Sequence, residues 1–152
     1  MESCTRRETA RRTLLLDLLT QAEDLSFERR FDIDLLAERV TYAVRWARDH
    51  PVAGKLPVGL FGASTGAAAA LRVAAADHQI ASVVSRGGRP DLAGTLHLPR
   101  VRAPTLLVVG GLDADVIALN RQAFEELSCE RVAALVHSWF KGHFEQLRRS
   151  GP

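Results

Sequence analysis

Gly62-Ala63-Ser64-Thr65-Gly66 joins two segments of opposite character, and that junction constrains the fold more than any other feature of the chain. Leu56-Pro57-Val58-Gly59-Leu60-Phe61 before it reads as a short buried strand. Ala67-Ala68-Ala69-Ala70-Leu71-Arg72-Val73-Ala74-Ala75-Ala76 after it reads as a helix. The chain must pass from extended to helical backbone within a residue or two. Such a turn is tight and strained, so small residues are needed on either side of Ser64. The first turn of the following helix carries N–H groups without intrahelical partners, and they point toward whatever lies beside the serine. A Gly-rich strand-to-helix turn that cradles a phosphate in another α/β fold is the alternative reading of the same pentapeptide.

The remaining elements follow from periodicity. Thr13-Leu14-Leu15-Leu16-Asp17-Leu18 is apolar enough to predict a strand buried on both faces, as in a parallel sheet. Residues 19–31 read as polar loop. A helix is expected from Asp32, a suitable N-cap, to His50, because Pro51 disfavours helical backbone in the residue before it. Strands are expected at 57–61, 80–84 and 104–109, and helices at 65–76 and 116–127. In the last of these Val116, Asn120, Ala123 and Leu127 share a face. Residues 86–102 are broken by Gly87-Gly88, Pro90, Gly94 and Pro99 and read as loop. From Glu130 to Arg148 the stripe Val132, Leu135, Val136, Trp139, Phe140 and Leu147 predicts a helix, with Trp139 and Phe140 in the core.

Strands alternating with helices define an α/β chain. The expectation is a three-layer sandwich with a mostly parallel sheet of about four strands and helices on both faces. Functional groups should gather at the C-terminal ends of the strands. The 152 residues suit a single domain, with residues 1–12 as a flexible arm.

Composition removes several function classes. A formal net charge of +2 argues against nucleic acid and membrane surfaces as partners. No apolar run approaches membrane-spanning length. Arg6, Arg7, Arg11 and Arg12 precede Leu14-Leu15-Leu16 much as in a secretory signal, but Asp17 interrupts the apolar stretch at once. Two scattered cysteines, Cys4 and Cys129, imply no disulfide framework, and the default location is the cytoplasm. The histidines and cysteines lack metal-ligand spacing, so no metal or other cofactor is implied. No Gly-Lys-Ser/Thr sequence occurs, which argues against nucleotide hydrolysis.

A serine at such a turn is a candidate nucleophile, and it needs a base to take its proton and a carboxylate to orient that base. Asp113, in Gly110-Gly111-Leu112-Asp113-Ala114-Asp115, follows a strand end and is the favoured acid. Asp115 is its competitor, either as acid or as cap of the next helix. Both could also be plain turn or N-cap residues. Of the five histidines, His50, His78 and His97 fall before the acid, and only His137 and His143 follow it. His143 follows Lys141-Gly142 and would suit a base if residues 131–140 were a strand, although the helical stripe describes them better. The Thr65 N–H is placed to donate to an oxyanion. Arg86 and Arg89 flank Gly87-Gly88 and form a candidate anion-binding pair, or a solvated turn.

Residues 56–70, together with Val83-Val84-Ser85-Arg86-Gly87-Gly88-Arg89-Pro90-Asp91-Leu92-Ala93-Gly94 and residues 103–113, resemble the dienelactone-hydrolase-like branch of the α/β-hydrolase superfamily. The resemblance covers most of residues 13–144. It implies a serine hydrolase acting on an ester, thioester or lactone, with Ser64 as nucleophile and Asp113 as triad acid. Two departures stand out. The resemblance aligns residues 14–20 with a strand that follows further strands in the family, and residues 1–12 are too few to hold them. At the other end, Phe124-Glu125-Glu126-Leu127 runs through Ser128-Cys129 into what resembles the family's last helix, so the strand and the His-bearing loop look deleted. On that expectation the chain is truncated, its activity is in doubt, and an exposed sheet edge would favour homodimerisation. A non-catalytic remnant that binds a small molecule or another protein is the competing expectation.

Overall fold

The computed structural model describes residues 12–135, with side chains described up to Arg131. Its centre is a four-stranded sheet of β1 (Gly59–Ala63), β2 (Ser82–Arg86), β3 (Thr105–Val109) and β4 (Arg131–Leu135), ordered β1-β2-β3-β4. All three pairings are parallel, with Leu60 opposite Val83, Val83 opposite Thr105 and Thr105 opposite Arg131. The α/β class and the parallel sheet are those expected from the sequence.

Two short helices, α1 (Gln21–Asp24) and α2 (Phe27–Arg30), lead into α3 (Ile33–Asp49). Helix α4 (Thr65–Ala76) connects β1 to β2, and α5 (Ala114–Glu126) connects β3 to β4. The link from β2 to β3 carries two 3-10 turns, Pro90–Ala93 and Leu98–Arg100. The caps explain the helix starts. The side chain of Asp32 accepts from the Leu35 N–H at 3.0 Å, and Thr20 and Glu23 form a reciprocal capping box at α1.

The strand order has a consequence for layering. Each right-handed crossover in the series 1-2-3-4 steps the same way along the sheet, so the connecting helices fall on one face. Accordingly α3 packs on α4, α4 on β1 and β2, and α5 on β3. Val83, Ser85, Thr105, Leu107 and Val109 point into that layer and are buried. Placing helices on both faces requires a reversal of strand order, and none occurs among the described residues. The opposite sheet face carries Val84, Leu106 and Val108, half-buried, and Phe61, which is 68% exposed. The core is unusually rich in alanine: Ala67 to Ala70, Ala74 and Ala75 line α4, which lets the helix approach the sheet and α3 closely. Ion pairs brace the helices around it, Arg48 to Asp77 at 2.5 Å, Arg72 to Asp34 at 2.6 Å and Arg39 to Glu23 at 2.6 Å.

Four expectations need correction. Residues 12–17 form no strand; Leu14 and Leu16 are half exposed and Leu15 is 89% exposed. A strand apolar on both faces needs hydrogen-bonded neighbours, and β1 ends the described sheet with no strand beyond it. Leu18 and Leu19 pack against the core, and the Leu18 carbonyl accepts from Arg39 Nη1 at 2.6 Å. Residues 19–31 are not simply loop, because Thr20 and Ser26 cap two single-turn helices there. β1 and β2 each lie two residues later than expected. The largest correction is at β4: residues 131–135, expected to begin a helix, are a parallel strand beside β3. The expected deletion of the strand after α5 is therefore wrong. Trp139, Phe140 and the rest of the expected helix lie outside the described residues.

Candidate active site

Ser64 stands where β1 ends and α4 begins, with φ 50° and ψ −127°. It is the only non-glycine residue with positive φ among the described residues. Side chains rarely adopt this region, so the backbone is strained at the serine. Gly62 shows why the neighbours are small. A Cβ there would fall onto the Gly66 carbonyl and within 2.6 Å of the Ala67 nitrogen. Gly66 is less constrained by backbone, since its Cβ would meet only a Leu18 methyl group at 3.8 Å. The Ser64 side chain is exposed and does not cap its own helix. Its carbonyl accepts from the Ala67 N–H at 3.2 Å and from the Arg89 N–H at 3.1 Å. The loop after β2 therefore holds the turn from outside. Thr65 and Gly66 open α4 directly after the serine, and their amides have no i−4 partner by position.

Asp113 follows β3 at the same end of the sheet. Because β2 separates β1 from β3, the two strand ends are about 10 Å apart, twice the interstrand spacing. The Asp113 carboxylate accepts from the Val116 N–H at 3.0 Å and is the N-cap of α5. Asp115 lies inside the first turn and is not the cap, contrary to the role considered for it. Both aspartates are exposed.

β4 also runs parallel, so the chain leaves it at the end where Ser64 and Asp113 sit. His137 and His143 lie beyond it, outside the described residues. The other histidines are elsewhere. His50 is the C-cap of α3 and accepts from the Val52 and Ala53 N–H groups at 3.3 and 3.2 Å. His78 precedes β2, at the opposite end of the sheet, and His97 precedes the Leu98–Arg100 turn. A shallow cleft of about 600 Å³ lined by His78, Arg100, Arg102 and Cys129 also lies at that opposite end and serves no chemistry at Ser64.

Arg86 ends β2 and is exposed. Arg89 is already engaged, its guanidinium on Asp91 at 2.8 and 2.9 Å, which raises its pKa and leaves it strictly cationic. No cluster of His, Cys, Asp and Glu among the described residues could hold a metal ion, and no helix among them is long and apolar enough to cross a membrane.

Sequence reasoning missed two positions at this end. Gly88 sits so close to its surroundings that a Cβ would meet Ala67 at 2.6 Å and press on the Ser85 hydroxyl. Asn120 is only 4% exposed and donates from Nδ2 to the Gly88 carbonyl at 3.0 Å and the Val116 carbonyl at 2.8 Å. The signal was there: a lone polar residue on the apolar face Val116, Asn120, Ala123, Leu127.

The parallel α/β architecture, with a strained serine at a strand-to-helix junction and an aspartate past a later strand, is that of a dienelactone-hydrolase-like fold. A crystal structure of a dienelactone hydrolase from Anabaena variabilis superposes with a TM-score of 0.73 at 50% sequence identity, covering 79% of this chain and 57% of that one. Two curated proteins of Mycobacterium tuberculosis (strains CDC 1551 / Oshkosh and ATCC 25618 / H37Rv) are 48% identical over 153 aligned positions, covering 86% of this chain. Both carry the name "Putative phosphoribosyl transferase". The chain spans about a third (34%) of their length. No protein-family model matches it.

Proposed function

We propose that the chain is the nucleophile-bearing part of a serine hydrolase of the dienelactone hydrolase type, acting on an ester, thioester or lactone. The observation that carries this reading is Ser64 itself: positive φ at an elbow, side chain exposed, at the N-terminus of α4. Strain at that one residue is what a fold accepts when the side chain must stand clear of its own backbone. Ser64 Oγ bonds to the substrate carbonyl carbon as its proton passes to the imidazole of His143, and the carbonyl π pair moves onto oxygen. The Thr65 N–H donates to that oxyanion. Asp113 orients the imidazole and stabilises its charged form. Collapse of the tetrahedral species breaks the bond to the alkoxide or thiolate, which takes the proton from the imidazolium. Water then repeats the sequence on the acyl-serine and releases the acid.

The strand β4 supports His143 as base, because it restores the order strand, then histidine-bearing segment, after the acid. The test is labelling with a fluorophosphonate probe. Labelling is expected in the wild type, lost in Ser64→Ala, and slowed by about a thousandfold in His143→Ala. Folded protein that is never labelled, or is labelled equally in Ser64→Ala, refutes the reading.

A non-catalytic remnant is the second reading, favoured by the engagement of the Asp113 carboxylate as a helix cap. It predicts no labelling in cooperatively folded protein. Phosphoribosyl transfer is not proposed for this chain, since the guanidinium of Arg89, one of the two read as anion-binding, is committed to Asp91.

A further inference from the structure

Four hydrogen bonds run between the two functional strand ends. The Asp113 carboxylate accepts from Val116 N–H at 3.0 Å, and the Val116 carbonyl accepts from Asn120 Nδ2 at 2.8 Å. The same nitrogen donates to the Gly88 carbonyl at 3.0 Å, and the next residue, Arg89, donates its N–H to the Ser64 carbonyl at 3.1 Å. Asn120 is the only side chain in the interior of that path, and it is buried on the apolar face of α5. Its position is costly: Asn120 Oδ1 and Ser85 Oγ, also buried, have no hydrogen-bond partner among the described residues. An apolar side chain of similar volume would fill the same space without an orphaned oxygen. What it could not do is hold two backbone carbonyls, one on α5 and one on the loop after β2, from a single nitrogen. Gly88 is fixed from its other side as well, since it lies against Ala67 of α4 without room for a Cβ.

We propose that Asn120 is a positioning residue that sets the distance between the Ser64 elbow and the helix bearing Asp113. The proposal rests on the hydrolase reading for its consequence, though not for its geometry. Without the amide, the Arg86–Arg89 loop loses its tie to α5, and the Ser64 carbonyl is held by a segment free to shift. A displacement of about 1 Å between catalytic groups can cost on the order of a hundredfold in rate.

The test uses the full chain and Asn120→Leu, measured under conditions where urea unfolding shows wild type and variant both fully folded. Expected are a fall of about tenfold or more in the rate of fluorophosphonate labelling at Ser64, and faster hydrogen exchange of the Arg89 amide, with the Leu107 amide of β3 unchanged. A merely structural asparagine would shift the urea midpoint but leave labelling of the folded protein alone. An unchanged labelling rate with unchanged Arg89 exchange overturns the proposal. If the wild type is not labelled at Ser64, the hydrolase reading fails, and the Arg89 exchange rate alone still decides whether Asn120 holds the elbow. Asn120→Asp keeps the shape and removes the donor, and it replaces the leucine variant if that one does not fold. Failure of both to fold assigns Asn120 to the core and ends the proposal.

Discussion

Replacing Ser64 by glycine should stabilise the protein while destroying its candidate nucleophile. The serine sits at φ 50° and ψ −127°, where a Cβ is unwelcome. Backbone strain of this kind costs on the order of 1–3 kcal/mol. Glycine relieves it but makes the unfolded chain looser, an opposing effect of about 0.4–1 kcal/mol. Little else changes, because the Ser64 hydroxyl makes no cap hydrogen bond and the side chain is exposed. The net expectation is a gain of about 0.5–2 kcal/mol. For a chain of this length each kcal/mol is worth about 2–4 °C, so Tm should rise by roughly 1–8 °C. Ser64→Ala is the control: it keeps the Cβ and the strain, loses the hydroxyl, and should fall within about 0.5 kcal/mol of wild type. Both variants abolish labelling, so activity cannot confound the comparison. Thermal melts and urea titrations of the three proteins decide the matter. A glycine variant less stable than the alanine variant by about 1 kcal/mol would mean that only the looser unfolded chain is felt, and that the elbow carries no strain.

Other perturbations separate roles that coincide in one residue. Asp113→Ala should lose the α5 cap, about 1 kcal/mol, whereas Asp113→Ser keeps a good cap and removes the carboxylate; a serine variant that hydrolyses esters at the wild-type rate would remove Asp113 from the triad. Acid should weaken the fold. Arg39 hydrogen-bonds Glu23 and Arg48 hydrogen-bonds Asp77, and both carboxyl pKa values are lowered. Groups with depressed folded-state values stabilise fully above their unfolded pKa near 4 and lose that contribution as pH falls further, so the urea midpoint should decline below about pH 4 and level off above about pH 5. Arg39→Gln with Arg48→Gln should flatten that decline, and an unchanged profile in the double variant would sink the assignment. Among the described residues no strand pairs with the outer edge of β1, and if that edge mediates self-association, Phe61→Lys should convert the concentration-dependent dimer seen by sedimentation to monomer; a dimer that survives the lysine uses another surface.

The elbow was legible because its demands are local. Gly62 must be small for the Gly66 carbonyl, and Ser64 must turn sharply, whatever lies further away. Asp32 and the Pro51 stop were legible for the same reason, and they bound α3 within a residue at each end. The failures share the opposite property. Leu14-Leu15-Leu16 is a strand sequence without a strand, because pairing is conferred by neighbours and β1 has none on that side among the described residues. Val132-Ala133-Ala134-Leu135 is a strand in a helix-like sequence, since a short apolar run carries no periodicity that tells the two apart. That second failure matters most for function. Reading it as helix erased the strand after the acid and, with it, the structural reason to expect a base.

Asn120 carries the same argument into the site. Its side chain spoils an otherwise apolar helix face, which sequence alone records as a flaw. In three dimensions that flaw is, among the described residues, the side-chain bridge between the cap of α5 and the loop that grips the serine's carbonyl. Local chemistry thus specifies each half of the candidate site, Ser64 on its elbow and Asp113 on its cap. Their separation is specified by a buried amide whose meaning depends on what the fold places beside it.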